Sequence, residues 1–223
     1  MIHTGLILAS NSPRRRELLS CFQVPFRVSP VSIDEDALPG EEPGKYVMRL
    51  AVTKGHAAAS AAQPGELVVS ADTTVADGAQ ILGKPASEDE ASQMLAQLRN
   101  RMHQVYTALA VYDPHTGCIE TSLARSDVRM RNYSDAEIQA YIATRDPFDK
   151  AGGYAIQNGA FLPVDELQGC YSNVVGLPLC HLARLLQKFY LELLPRPDNR
   201  CIFDLGYECP YCRQILLGDK GCR

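Results

Sequence analysis

The chain has no apolar stretch approaching the roughly 18 residues that a membrane-spanning helix requires. Its N-terminus lacks a basic segment followed by a long apolar run. Neither a span nor a signal peptide is expected, which makes the cytoplasm the default location. Positive charge is not in excess either. The formal net charge of -4 argues against general nucleic-acid binding by bulk electrostatics. No internal repeat and no low-complexity segment interrupts the 223 residues. What is present, 46% hydrophobic and 22% charged residues, is the composition of a soluble globular protein. The length suits one ordinary domain with at most an appendage.

The cysteines divide into two groups. Cys21, Cys118, Cys170 and Cys180 are scattered and are expected to be small buried hydrophobes. Cys201, Cys209, Cys212 and Cys222 crowd the last 23 residues, behind a breaker-rich linker from Pro195 to Asn199. A secreted disulfide framework would be spread through a smaller chain. The boundaries expected are therefore a body over 1–194 and a Cys-rich tail over 195–223. Four thiolates including one C-x-x-C suit a tetrahedral structural zinc site. Free thiols, or redox and disulfide chemistry, are the alternatives. Cys209-Pro210-Tyr211-Cys212 looks like a glutaredoxin active-site sequence, but the tail is too short to fold around it.

In the body, Leu6-Ile7-Leu8-Ala9 reads as a buried strand. Ser10-Asn11-Ser12 is a polar turn, with Ser12 as N-cap and Pro13 at the first helical position. Arg14, Arg15 and Arg16 follow at a helix end that already favours anions. The stretch is either a phosphate cradle or a solvated basic patch. Phe26–Val28 suggests a second strand, and Asp34-Glu35-Asp36 an exposed acidic loop. On a helix expected from Pro43 to Ala62, stepping 100° per residue puts Val47, Leu50, Ala51, Ala57, Ala58 and Ala61 on one stripe. Lys54 falls in the middle of that stripe, so it must snorkel or meet an anion. His56 reads as a surface residue.

Leu67–Ala71 is a further strand, which Asp72-Thr73-Thr74 is expected to end. At that edge of an α/β sheet ligands bind, so Asp72 is a turn cap, a base or a metal ligand. Val75–Leu82 reads as a hairpin turning at Asp77-Gly78, and it delivers Lys84 beside the same edge. Ser87-x-x-Glu90 and Ser134-x-x-Glu137 are capping boxes. The helices they open turn Ala91, Met94, Leu95 and Leu98, and Ile138, Tyr141 and Ile142, inward. Strands are expected over Val105–Tyr112 and Ile119–Met130, with His103 and His115 on the surface. Gly152-Gly153 permits a close backbone approach, and Gln157 is placed to read amide or carbonyl edges. Gly169–Pro178 reads as a strand and turn, after which an amphipathic helix runs to about Leu194.

In order these motifs are S-x-S-P-R-R, D-E, a helical lysine, A-D-T, G-K-P, A-I-Q and V-V-G-L-P-L. The ordered set, from about Leu6 to Leu194, resembles the Maf family of nucleoside triphosphate pyrophosphatases. That resemblance implies an α/β fold with a mixed sheet, flanking helices and two lobes around a cleft, like inosine triphosphate pyrophosphatase, usually as a homodimer. It implies water attack on the α-phosphorus of a nucleoside triphosphate, with release of pyrophosphate and with a divalent cation, Mg or Mn. It places Ser10, Arg15, Glu35, Lys54, Asp72, Lys84 and Gln157 in the site, with Asp72 as proton acceptor. Glu35 and Asp72 are the ligand candidates for the cation. Arg14, Thr73 and Gln157 resemble the branch acting on dTTP and UTP rather than the branch acting on 7-methyl-GTP. Asn158 stands where the family usually has glycine.

The residues agree with this on their own chemistry. Arg14–Arg16, Lys54 and Lys84 supply positive charge for a triphosphate, and hard divalent ions want carboxylate oxygens. The competing class is a nucleotide-binding regulator of cell division or septum formation that acts through a partner. Intact catalytic positions favour the enzyme, because a binder has no need of Asp72.

Overall fold

The computed structural model describes residues 3–197 and 209–217. Cys201 and Cys222, half of the expected zinc set, lie outside the described residues. Strands β1 (Gly5–Leu8), β2 (Phe26–Val28), β3 (Glu66–Asp77), β4 (Gln80–Leu82), β5 (Met102–Asp113), β6 (Cys118–Met130) and β7 (Val164–Gln168) form one mixed sheet. Its order is β2-β1-β3-β5-β6-β7, with β4 hydrogen-bonded to the far end of β3. β1 runs parallel to β2 and β3, and the remaining pairs are antiparallel.

Helices cover both faces. α2 (Pro43–Ala57) packs on β3 and β5, burying Val47 and Ala51 against Ala108 and Ala110. It is shorter than the 43–62 expected. The chain tightens into a 3₁₀ turn at Ala59–Ala61, and Ala57 is exposed while Ala58 is buried. On the other face α1 (Pro13–Ser20) and α6 (Leu179–Gln187) share a core with Leu6, Leu8, Leu67, Val69 and Ala71. Alternation along the strands explains the division, since Val68 turns the opposite way, toward Ala9 and Ala58. A second cluster joins α3 (Glu88–Leu98), α4 (Asp135–Ala143) and the far ends of β3, β5 and β6. These two cores are the two lobes.

Several expectations change. β3 is not ended by Asp72-Thr73-Thr74: it continues to Asp77, because Thr73 and Thr74 pair with Thr107 and Tyr106 across the ladder. The other edge of β3 is what ends there. Pairing with β1 stops at Leu8–Val69, and pairing with β4 begins only at Val75. The segment between therefore presents an open edge, and Asp72 lies in it. Gly169–Pro178 is not a strand and turn. β7 precedes it, and α5 (Tyr171–Val175) runs to a left-handed Gly176 with φ +115°. α6 ends at Gln187 rather than Leu194.

His103 is not on the surface. It is 0% exposed, with Nε2 2.7 Å from the Tyr154 hydroxyl. His115 is exposed, as expected, and so is His56, whose ring meets Tyr112 edge-on. Cys170 and Cys180 are buried, Cys21 is half-buried, and Cys118 is exposed at the start of β6. Ser134 and Glu137 complete a capping box, whereas the Glu90 side chain accepts from Ala86 N rather than from its cap residue. The described part of the tail, α7 (Cys212–Leu217), packs on α6.

Candidate active site

A cleft of about 770 Å³ opens at the exposed edge of β3, between the two lobes. β1, α1, α2, β3, the 146–157 loops and the turn at Gly176 all reach it.

The first turn of α1 is built as expected. The Ser12 hydroxyl accepts from Arg15 N at 3.4 Å, and the Ser10 hydroxyl accepts from Ser12 N at 3.2 Å. The arginines then part company. The Arg15 guanidinium donates to Ala71 O (2.8 Å), Gly176 O (2.8 Å), Thr73 Oγ1 (3.0 Å) and Ser10 Oγ (3.3 Å). It joins β1, β3 and α5 into one wall. Burial lowers its pKa, with Asp72 pulling the other way. Arg14 crosses the cleft mouth to Asp149 Oδ2 at 3.0 Å. Arg16 is exposed and does not line the cleft.

Lys54 resolves its two readings. Its ammonium lies 2.5 Å from Asp72 Oδ1 and 2.6 Å from Glu35 Oε1. The anion contact is made, so the residue does not snorkel. Asp72 is 7% exposed, and burial raises its pKa against the pull of Lys54 and Arg15. Partial burial acts the same way on Glu35, but the Lys54 hydrogen bond, with Lys84 and Arg15 behind it, holds that carboxyl below its ordinary value. Two carboxylates of different basicity thus face one cation, an arrangement suited to acid–base work. The acidic loop is anchored from α2: Tyr46 Oη donates to Glu35 O (2.9 Å) and Arg49 to Asp36 O (2.9 Å).

Lys84 and Gln157 are exposed side chains on the cleft wall, and Thr73 is half-buried between Arg15 and Thr107. Asn158 fixes the turn after Gln157. It donates to Asp146 Oδ2 (3.1 Å) and accepts from Phe161 N (2.8 Å). Behind the loop, Gly152 has φ +68°, and a Cβ there would lie 2.9 Å from the Val75 side chain.

The sequence reading missed four contributors. Lys150 is 7% exposed and donates to Asp146 Oδ1 (2.8 Å) and Asp149 Oδ1 (2.5 Å). Asp149 faces both Lys150 and Arg14. Thr107 and Asn173 lie fully buried behind Thr73, with Thr107 Oγ1 donating to Asn173 O at 2.9 Å. A hydroxyl on a strand whose neighbours are apolar was the available signal for Thr107. Nothing local marks Lys150.

Among the described residues, no group of three or more His, Cys, Asp or Glu side chains is assembled to hold a metal ion. Glu35 and Asp72 do converge on one cationic point, at present the Lys54 ammonium. One or two carboxylates completed by phosphate oxygens are what Mg²⁺ ordinarily takes. The donor set fits a cation arriving with a triphosphate.

In the tail, Cys209 and Cys212 meet cysteines of the body. Cys212 Sγ is 3.2 Å from Cys180 Sγ, and Cys209 is hydrogen-bonded to both Cys170 and Cys212.

An open sheet edge, a cleft that gathers Arg14, Arg15, Lys54, Lys84 and Lys150, and a carboxylate–lysine–carboxylate centre characterise the candidate site of this α/β fold. The chain matches the family model described as Maf-like protein over residues 5–189, and it belongs to the Maf family. Curated relatives agree along most of its length. The dTTP/UTP pyrophosphatase of Geobacter sp. (strain M21) is 44% identical over 84% of this chain and 96% of its own. That of Myxococcus xanthus is 48% identical over 85% and 95%. The dTTP/UTP pyrophosphatase of Thermomicrobium roseum is 41% identical over 92% and 93%. Among solved structures, the Staphylococcus aureus Ham1 protein overlays 57% of this chain and 72% of its own at a TM-score of 0.39 and 14% identity. That likeness carries no argument of its own.

Proposed function

We infer that this protein is a nucleoside triphosphate pyrophosphatase that hydrolyses dTTP and UTP to the monophosphate and pyrophosphate. The single observation that carries the inference is Asp72, a buried carboxylate with a raised pKa, in a cleft that also gathers Arg14, Arg15, Lys54, Lys84 and Lys150. A group whose basicity is increased by burial is a better proton acceptor, and a positioned base contributes about 10²–10⁴-fold to rate.

In this reading Asp72 takes the proton of the attacking water. The triphosphate displaces Asp149 from Arg14 and meets Lys84 and the remaining Arg15 donor. Lys54 keeps Glu35 and Asp72 apart in protonation state and then stabilises charge on the phosphorus oxygens. Phosphoryl transfer needs little beyond such positioning and charge neutralisation. A divalent cation, Mg or Mn, would be held by Glu35 and Asp72 and would supply further neutralisation of the phosphates. Arg14, Thr73 and Gln157 support the pyrimidine branch. The same reading includes a homodimer working in the cytoplasm. No helix among the described residues is long and apolar enough to cross a membrane.

Pyrophosphate release from a panel of nucleoside triphosphates, with Mg and with Mn, tests the assignment. UTP and dTTP should exceed GTP and 7-methyl-GTP in kcat/KM. A preference for 7-methyl-GTP would refute the branch, and no release from any triphosphate would refute the enzyme. In the second case the regulator reading, which needs the cleft but not its base, would take its place.

A further inference from the structure

The tail lies outside residues 5–189, which the family model covers, and none of its described residues lines the cleft. Its two described cysteines nevertheless meet two cysteines of the body. The contacts run in a line, Cys170 to Cys209, Cys209 to Cys212, and Cys212 to Cys180. Cys212 is 3% exposed, Cys180 1% and Cys170 4%, while Cys209 is half-buried. Among the described residues no group of three or more His, Cys, Asp or Glu side chains is assembled to hold a metal ion. A disulfide S–S bond is about 2.05 Å long. From their present separation of 3.2 Å, the Cys180 and Cys212 sulfurs therefore need to close by about 1.2 Å.

We propose that Cys180 and Cys212 are a disulfide-forming site that staples α7 to α6, with Cys209 as the thiol through which a small-molecule disulfide such as oxidised glutathione enters. The Cys209 thiolate attacks one glutathione sulfur, the glutathione S–S bond breaks, and one reduced glutathione leaves. The Cys212 thiolate attacks Cys209 Sγ and expels the second. The Cys180 thiolate then attacks Cys212 Sγ, and Cys209 is released as a thiol. Two protein thiols are oxidised, one glutathione disulfide is reduced, and the two thiol protons end on the two glutathione molecules. A cavity of about 440 Å³, lined by Arg125, Asp127, His181, Tyr211 and Gln214, opens beside Cys170 and gives a peptide disulfide a place to approach; Arg125 is paired with Asp127 at 2.8 Å. Cys209 has a raised pKa: its bond to Cys170 lowers the value, but the bond to Cys212 and burial outweigh it. A redox catalyst depends on a depressed thiol pKa, so the site acts as a slow staple and not as a glutaredoxin.

The disulfide would set the position of more than the tail. α6 begins three residues after Gly176, whose carbonyl holds Arg15 in the cleft wall. The test uses the full chain, reduced and then incubated with oxidised glutathione. Free thiols are alkylated, the protein is digested without reductant, and joined peptides are identified by mass. The expected product joins the peptides of Cys180 and Cys212 and leaves Cys209 alkylated, with a rise in Tm that dithiothreitol reverses. Cys209→Ser should slow its formation several-fold. Cys212→Ser or, if that variant does not fold, Cys180→Ala should abolish both the joined peptide and the Tm shift. A disulfide that stays at Cys209–Cys212 with Cys180 alkylated would overturn the proposal. So would stoichiometric zinc in chelator-free protein whose thiols resist glutathione.

Discussion

Replacing Thr107 by valine tests how the cleft reads a base. The hydroxyl of Thr107 is 0% exposed and has one proton, which it gives to Asn173 O at 2.9 Å. The 2.9 Å contact between the two threonine hydroxyls must therefore be donated by Thr73. Thr73 also accepts from Arg15 at 3.0 Å. One lone pair remains, so toward a ligand Thr73 can only accept. Uracil and thymine carry an N–H at ring position 3, whereas cytosine carries a bare nitrogen there. A fixed acceptor suits the first pair and repels the third. Valine has the same shape as threonine without the hydroxyl. Asn173 O keeps its bond from Gly176 N, at 3.0 Å. The loss is thus one to two neutral hydrogen bonds, each worth about 1 kcal/mol, or a few degrees in Tm for a chain of this length. The larger change is in selectivity, because the Thr73 proton becomes free to turn toward the ligand. The ratio of kcat/KM for UTP over CTP should fall by up to about tenfold, the equivalent of one such bond of about 1.4 kcal/mol. The turnover of UTP itself should change little. Thr107→Ser should restore the ratio. A folded Thr107→Val enzyme with an unchanged ratio would show that Thr73 does not face the base in this way.

Three further outcomes follow from other parts of the molecule. Asp72→Asn should retain the fold and lose at least about 10²-fold in turnover; near-normal hydrolysis by the folded variant would remove Asp72 from the role of base. His103 is held neutral, its pKa pushed by burial down to about 4, against 6.5 when unfolded. Its contribution to stability is complete above about pH 6.5 and is lost as pH falls toward 4, in total about 3 kcal/mol by linkage. Burial, with Arg184 nearby, gives His181 the same direction and a value of about 4, so urea midpoints against pH should flatten only in part in His103→Phe. A slope identical to wild type would contradict this. Removal of residues 195–223 should leave hydrolysis largely intact, since the cleft residues all precede Pro195. It should also lower Tm, because Cys212, Ile215 and Leu216 pack into the core shared by α1 and α6. Loss of turnover at a temperature where the shortened protein is folded would mean that the tail supports the cleft.

Much of the cleft could be read from the chain because its chemistry is local. Ser12 as a cap, Lys54 on an apolar stripe and the hairpin that carries Lys84 each follow from residues within a few positions of one another. The contacts that complete it are not local. Arg14 meets Asp149 and Arg15 meets Gly176, separations of 135 and 161 residues, which no spacing rule reaches. β3 misled because polarity at Asp72–Thr74 resembles a strand end. The backbone ladder to β5 continues through all three residues, so only the neighbour β1 stops there. His103 misled for a similar reason: its partner, Tyr154, lies on a loop 51 residues away. The tail cysteines pointed to one another in sequence and to the body in space.

Gly152 ties two parts of the catalytic wall together by what it lacks. The loop that carries Gln157 passes so close to β3 that a methyl group at 152 would meet Val75, three residues beyond Asp72. The two positions are therefore a single unit of heritable variation. Ala at 152 should be damaging beside Val75 and milder beside a residue trimmed to Ala, so the effect of either change depends on the other. The relief is incomplete, because the Cβ of residue 75 itself lies 3.0 Å from the added methyl and φ +68° still opposes a side chain. For directed evolution this means that broadening the base pocket by moving the Gln157 loop is closed to single substitutions at this point. A library that varies 75 and 152 together can reach variants that a one-at-a-time scan discards.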